Sequence, residues 1–303
     1  MYCAGMAKST ESRFTTVGII GRRGSPHVVD SLTTVVRCLD GHGVDVVVED
    51  DTAKMLDVSN CEVVSRADLG TRCDLLVVVG GDGSLLGVGR DLAHAEVPVL
   101  GINRGGLGFL ADIAPEQIEQ QLAEVLKGEF RVEDHFLLEA EVHRDGNKVD
   151  ASPALNDVVV HPGSMARMME FALTVNGEFV YDQRSDGLII ASPTGSTAYA
   201  LSAGGPIMHP GLDAIVIVPM FPHTLTSRPL VVRGDAEIMV TIGDVSRAQA
   251  SCDSQVQFSL QRGDTVHVKK YQAPLRLLYT LGHSFYESCR SKLDWASRLG
   301  GSE

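Results

Sequence analysis

The chain has 303 residues, 44% hydrophobic and 21% charged, an ordinary globular composition with room for two domains. Its 26 Lys and Arg against 39 Asp and Glu leave a formal net charge of −13, which argues against nucleic acid or an anionic membrane as a general partner, since both need a basic face. No apolar run approaches the ~20 residues that span a bilayer, and residues 1–11 are short and polar, so a soluble chain without signal peptide or anchor is expected.

In chain order, residues 14–20 end in an apolar run that breaks at Gly21-Arg22-Arg23-Gly24, and residues 28–39 carry helical spacing up to Gly41 and Gly43. Residues 44–48 read as a strand, followed by a charged segment. Residues 75–79 are a continuous Leu/Val run, as expected of a parallel strand buried on both faces. That run stops at Gly80-Gly81-Asp82-Gly83, after which a helix-compatible segment starts at Ser84. Glycines there let backbone N–H groups approach an anion at the positive end of a helix. Asp82 then stands where the anion would be, an unfavourable place for a carboxylate unless a cation or a proton transfer uses it, so the turn points to phosphoryl chemistry. Residues 97–102 form the next strand. Strands alternating with helices predict a parallel α/β sheet whose ligand sits beyond the carboxyl ends of the strands, where residues 80–84 and 103–110 share one crevice. Residues 115–126 are an amphipathic helix with Pro115 at its start and Ile118, Leu122, Val125 and Leu126 on one face, closed by Gly128.

From Phe130 the texture changes to short alternating runs separated by turn residues: 136–142 before Asp145-Gly146-Asn147, 171–175 before Asn176-Gly177, 237–242 before Gly243, and 256–260 before Arg262-Gly263-Asp264. Asn-Gly between apolar residues is a hairpin signal. The expected organisation is a Rossmann-like α/β domain over residues 1–130, a largely antiparallel, β-sandwich-like domain over 131–280, and a tail, 281–303, with Tyr286, Cys289, Leu293 and Trp295 at helical spacing, returning to the first domain. The six cysteines form no C-x-x-C pair and no Cys/His cluster, which fits reduced thiols in a cytoplasm.

Two stretches of the β region carry chemistry. A buried run, 188–191, enters Pro193-Thr194-Gly195-Ser196-Thr197, and a small-residue helix then carries Tyr199 and Ser202; hydroxyls and amides at a helix start make a polar ligand loop. Asn156 and Asp157 begin another apolar strand, and an amide beside a carboxylate suits a base edge and a ribose hydroxyl. Each has an ordinary reading too: Asp82 as a helix cap, Asn156 and Asp157 as a turn, Thr194–Thr197 as a loop and cap, Tyr199 as packing, Asp186 as a turn former, Arg184 as surface. His161, His209, His223 and His283 read as structural or solvent-facing. Cys252 and Asp253 are equally a hairpin or part of a site.

The ordered set Gly80-Gly81-Asp82-Gly83, residues 103–110, Leu155-Asn156-Asp157, Ser185-Asp186-Gly187-Leu188, residues 193–199 and residues 219–225 resembles, in order and spacing, the motifs of bacterial NAD kinases over nearly the whole chain. The glycine–aspartate turn alone is shared with lipid and 6-phosphofructo-kinases; the ordered set is specific. The resemblance implies transfer of the γ-phosphoryl of ATP to the 2′-hydroxyl of the adenosine ribose of NAD with a divalent metal, Mg²⁺, whose ligands the motifs do not identify. It implies Asp82 as the catalytic carboxylate, with Gly80, Gly81 and Gly83 as the phosphate turn. Phe109 falls near the adenine, Asn156 and Asp157 on the adenosine half, where Asp replaces the usual Glu, and Asp186 at the nicotinamide end. Thr194, Thr197, Ala198, Tyr199 and Ser202 form the dinucleotide loop, and Arg184 meets the product's 2′-phosphate. It further implies a cytoplasmic homo-oligomer, dimer or tetramer, whose neighbouring subunits complete sites. With no G-x-x-x-x-G-K-[ST] there is no P-loop lysine, so the metal and the turn amides are expected to neutralise the transferring group. A lipid kinase, which needs an apolar cleft and a membrane face, and a non-catalytic dinucleotide sensor are the competing readings; the acidic chain opposes the first and an intact Asp82 the second.

Overall fold

In the computed structural model the described residues are 12–24, 26–56, 61–104, 108–163, 168–224, 226–244, 247–293 and 295. They form two compact units, one of residues 1–85, 97–133 and 276–303, the other of residues 86–96 and 134–275.

The first unit runs β1 (Thr16–Gly21), α1 (Pro26–Gly41), β2 (Asp45–Glu49), α2 (Asp50–Ala53), β3 (Glu62–Val64), α3 (Arg66–Arg72), β4 (Leu75–Gly80), α4 (Asp82–Leu92), β5 (Val99–Asn103), α5 (Ile118–Leu126) and β6 (Arg131–His135). Here α4 begins the segment that groups with the second unit. The sheet order is β3-β2-β1-β4-β5, continued by a late strand, β19 (Leu275–Tyr279), and then β6. Pairs β1–β2, β1–β4, β4–β5 and β5–β19 are all parallel. All six residues of β4 are buried, which is why its sequence does not alternate. The buried face of α1, Val28, Leu32, Val35 and Leu39, repeats at helical spacing and joins Ile118, Leu122, Val125 and Leu126 of α5 in one apolar core. The charged segment before β4 holds α2, β3 and α3. The last is announced by Ser65, which caps it by accepting from the Asp68 N–H at 3.4 Å, a Ser-x-x-Asp start.

The second unit contains β7 (Leu138–Arg144), β8 (Asn147–Ala154), β9 (Asp157–Pro162), β10 (Met169–Val175), β11 (Glu178–Ser185), β12 (Gly187–Ala191), α6 (Tyr199–Ser202), β13 (Ala214–Met220), β14 (Leu230–Arg233), β15 (Ile238–Ile242), β16 (Ala248–Cys252), β17 (Val256–Leu260) and β18 (Thr265–Lys270). They make two six-stranded antiparallel sheets, β11-β10-β15-β18-β7-β8 and β14-β13-β12-β9-β16-β17. One core receives residues of both, among them Val142, Phe171 and Val266 from the first and Val158, Ile190 and Ile217 from the second. Strand β7 of the first sheet alternates buried and accessible residues, whereas β12 is buried throughout because a separate cluster, including Ala200 and Met208 with Val216 and Val218 of β13, covers Ile189 on its other face. Asn176 and Gly177, with φ of 52° and 77°, form the β10–β11 hairpin as expected. Gly243 and the 262–264 turn instead carry the chain from one sheet to the other. The tail forms α7 (Phe285–Leu293) in the first unit, with Cys289 buried while Tyr286 and Trp295 stay exposed.

Candidate active site

In the first unit, β4 delivers Gly80, and α4 starts at Asp82, two residues earlier than the sequence suggested. A Cβ on Gly80 would collide with the Ser84 side chain, so glycine keeps β4 clear of the first turn of the helix. The Asp82 carboxylate is not a cap. It reaches across to the next strand–loop junction, where Oδ2 accepts the Phe109 N–H at 2.5 Å and Oδ1 those of Leu110 and Ala111 at 3.1 and 3.4 Å. Gly108 lies against the same carboxylate with no room for a side chain. The two motif loops therefore meet through Asp82; residues 105–107 of the second lie outside the described residues. A carboxylate offers about four lone-pair sites, and three backbone donors leave it one acceptor position. A cavity of about 280 Å³ lined by His27, Asn103, Arg104, Asp112, Ala114 and Pro115 opens at these same strand ends. Phe109 packs on Phe285 of α7, ring centroids 6.4 Å apart.

In the second unit, β9 and β12 are antiparallel neighbours with Asp157 opposite Ala191, so the start of one strand adjoins the exit of the other. Ser192 donates its hydroxyl to the Leu155 carbonyl at 2.5 Å and its N–H to the Asn156 carbonyl at 2.9 Å; Gly195 packs so closely on that carbonyl that a Cβ would overlap it. The Asn156–Asp157 pair and the 194–202 loop are thus one structure. Within the loop Thr194 is buried, its hydroxyl 2.8 Å from Nδ1 of buried His135, and Ser196 ties Pro193 to Met208. Tyr199, at 44% exposure, and Ser202 face outward, and Thr197 and Ala198 lie between. Tyr199 is therefore not core packing.

Asp253 resolves the ambiguity of the Cys252–Asp253 stretch. It is both the left-handed corner of the β16–β17 hairpin, φ 52°, and the anchor of the β9 start. Its side chain accepts the Leu155 N–H on Oδ2 at 3.0 Å and those of Asn156 and Asp157 on Oδ1 at 2.7 and 3.3 Å, with the Arg90 guanidinium 3.9 Å away. Burial raises its pKa against those donors. Asp157 is 3% exposed, and among the described residues no donor meets its carboxyl. Burial, and then the Asp253 charge, push it up to about 7. The pair's proton accordingly resides on Asp157, the member without donors. His135 and Asp253 carry no sequence signal of their own, since their partners are 59 and about a hundred residues away.

Arg184 and Asp186 are not brought to this cluster. Both are exposed: Asp186 precedes β12, about five residues or roughly 17 Å from its Ala191 end, and Arg184 lies near the end of β11. The Arg184 carbonyl accepts the His223 N–H at 3.1 Å, and Asp186 donates its N–H to Met220 at 2.9 Å.

A parallel sheet ending in a Gly-Gly-Asp-Gly turn, and a β unit with a hydroxyl-rich loop, define a phosphotransferase of the glycine–aspartate type acting on a nucleotide-like acceptor. The sequence profile of the ATP-NAD kinase N-terminal domain matches residues 17–130, and that of the ATP-NAD kinase C-terminal domain residues 155–279. The NAD kinase of Ectopseudomonas mendocina is 54% identical over 291 residues, covering 95% of this chain and 99% of that one. That of Chromohalobacter salexigens is 53% identical over 289 residues, with 95% and 99% covered. Among solved structures, yeast NADH kinase complexed with NADH superposes with a TM-score of 0.88 at 26% identity, covering 98% of this chain and 97% of that one. An NAD kinase from Archaeoglobus fulgidus in complex with ATP gives 0.71 at 26% identity, covering 92% and 98%. The chain belongs to the ATP-NAD kinase family.

Proposed function

We infer that the chain is an NAD kinase that transfers the γ-phosphoryl of ATP to the 2′-hydroxyl of the adenosine ribose of NAD, giving NADP and ADP. The observation that carries this reading is the intact Asp82 turn in a chain 54% identical, over 95% of its length, to an NAD kinase. A ribose hydroxyl is a poor nucleophile at neutral pH. Asp82, with one acceptor position left after its three backbone bonds, takes that proton late in the transfer, a contribution of typically ~10²–10⁴-fold. The N-terminal end of α4 favours negative charge at the turn formed by Gly80, Gly81 and Gly83. Phe109 lies by the adenine. In the second unit Asn156 reads the adenosine half, and Asp157, protonated below about pH 7, donates there where a carboxylate would only accept. Thr197, Ala198, Tyr199 and Ser202 form the wall of the dinucleotide site, with Thr194 and His135 bracing it from behind.

Among the described residues no group of three His, Cys, Asp or Glu is spaced to hold a metal. Asp82 and Asp112 are the carboxylates near the turn, which fits Mg²⁺ arriving on the phosphates of ATP and held by one or two side-chain oxygens. Such an ion would neutralise charge on the phosphates during transfer.

A homo-oligomer is supported by Arg184, near the end of β11, and Asp186, before β12, both exposed, and by the edge strand β14, whose Leu230 and Val231 are 37% and 49% exposed. We assign both to contacts with a second copy; a monomeric mass in light scattering at micromolar concentration would contradict this. Cytoplasmic residence is supported by the five cysteines among the described residues, all free thiols, and no helix among those residues is long and apolar enough to cross a membrane. Activity is tested by following NADP formation from NAD, ATP and magnesium with a coupled dehydrogenase.

A further inference from the structure

The phosphate turn poses an electrostatic problem. A γ-phosphoryl group arriving there faces the Asp82 carboxylate, and no P-loop lysine follows the turn to offset the repulsion. A cation from a remote part of the chain stands at this place. Helix α7 sets Lys292 with its ammonium 5.2 Å above the Phe109 ring, and the Phe109 N–H is the one bonded to Asp82 at 2.5 Å.

Lys292 is half-buried. Loss of solvent lowers its pKa, and the charges of Asp82 and Asp112 oppose that loss. Among the described residues neither carboxylate comes close enough to form an ion pair with it, and no hydrogen-bond acceptor meets it. Asp82 spends its oxygens on three backbone N–H groups, and Asp112 spends its own on Nδ1 of His283 and the Thr280 N–H, both at 2.7 Å. An ammonium has three donors and no acceptor, so here a partly desolvated charge sits beside two carboxylates that hydrogen-bond to other groups, with no protein acceptor among the described residues. Its face over Phe109 accounts for a cation–π contact of modest strength but not for the donors. The acceptor set this arrangement suits is a group of phosphoryl oxygens.

We propose that Lys292, carried in by the C-terminal helix, contacts the γ-phosphoryl group of ATP at the Asp82 turn and supplies the positive charge that a P-loop lysine supplies elsewhere. The His283–Asp112 contact and the Phe285–Phe109 packing hold α7 in place for this. This rests on the kinase reading of the Asp82 turn.

The test compares Lys292→Met, which keeps an apolar stem over Phe109, with Lys292→Arg and, as a control for helix charge, the exposed Arg290→Gln. Full-length proteins are assayed for kcat and for KM toward ATP and NAD separately, together with Tm and calorimetric binding of a non-hydrolysable ATP analogue with magnesium. Lys292→Met is expected to lower kcat/KM for ATP by roughly 10²-fold and to weaken analogue binding by about tenfold or more. KM for NAD and Tm should stay near wild type, Lys292→Arg should recover much of the loss, and Arg290→Gln should stay within about twofold. The proposal is overturned if Lys292→Met binds the analogue and uses ATP within about threefold of wild type. It is equally overturned if its losses appear alike in Tm and NAD binding and arginine restores nothing, which marks a purely structural lysine. A wild-type protein that makes no NADP sinks the kinase reading; the binding comparison still decides the role of Lys292.

Discussion

Replacing Asp253 tests how the β9 start is held. In Asp253→Ala the N–H groups of Leu155, Asn156 and Asp157 lose their acceptor together. Two of the three bonds are buried, and an orphaned buried donor costs about 1–3 kcal/mol, so roughly 2–6 kcal/mol is lost. Alanine at φ 52° adds about 1 kcal/mol of left-handed strain. Removing the buried charge that opposes Asp157 returns about 1–2 kcal/mol, leaving a net loss of about 1–6 kcal/mol, centred near 3–4 kcal/mol. Asp253→Asn tolerates the same backbone and keeps Oδ1 for Asn156 and Asp157, but turns an amide NH₂ toward the Leu155 N–H. After the same relief it should cost about 1 kcal/mol. Urea unfolding of the full chain, followed by far-UV circular dichroism, should rank wild type above Asp253→Asn and Asp253→Ala lowest, with KM for NAD rising in the same order. An alanine variant within about 1 kcal/mol of wild type, or an asparagine variant as damaged as alanine, would refute the anchoring role.

Two further outcomes concern the same corner. Burial brings the Asp157 pKa to about 7 from an ordinary 3.8, so its folded form holds a proton that the unfolded chain releases. Stability is then fully present below the unfolded value and declines as pH rises through about 7, by at most about 4 kcal/mol shared with Asp253. Asp157→Asn mimics the protonated form and should flatten that decline; parallel wild-type and variant curves from about pH 4 to pH 8 would contradict the assignment. Gly195→Ala places a methyl group on the Asn156 carbonyl, so the 194–202 loop must move off the strand. NAD binding should weaken by at least tenfold, and near-normal NAD binding in the variant would show that the two segments need not touch.

The parts legible in the sequence are those whose determinants lie within one turn. The five-residue apolar run, the glycines and Asp82 are contiguous, so strand, turn and helix could be read together; likewise Asn176-Gly177 makes its hairpin from its own left-handed backbone. Long-range contacts were not legible. The partners of Asp82 at residues 108–111, of Asp253 at the start of β9, and of Lys292 at Phe109 meet only once the chain is folded. Strand β19 has the same texture as its predecessors, yet it joins the parallel sheet beside β5. The expected pair at 156–157 adjoins the expected loop at 194–202, while Asp186, expected at the nicotinamide end, lies at the other end of β12.

The central claim is that Asp82 serves ATP-dependent phosphorylation of NAD. It is tested most directly by incubating purified wild type and Asp82→Asn with NAD, ATP and magnesium, and reading NADP through a coupled dehydrogenase. Wild type should form NADP only with ATP present, and Asp82→Asn should bind NAD within a few-fold while losing most turnover, roughly 10²-fold or more. No NADP from correctly folded wild type would contradict the function, and comparable turnover in Asp82→Asn would remove Asp82 as the base.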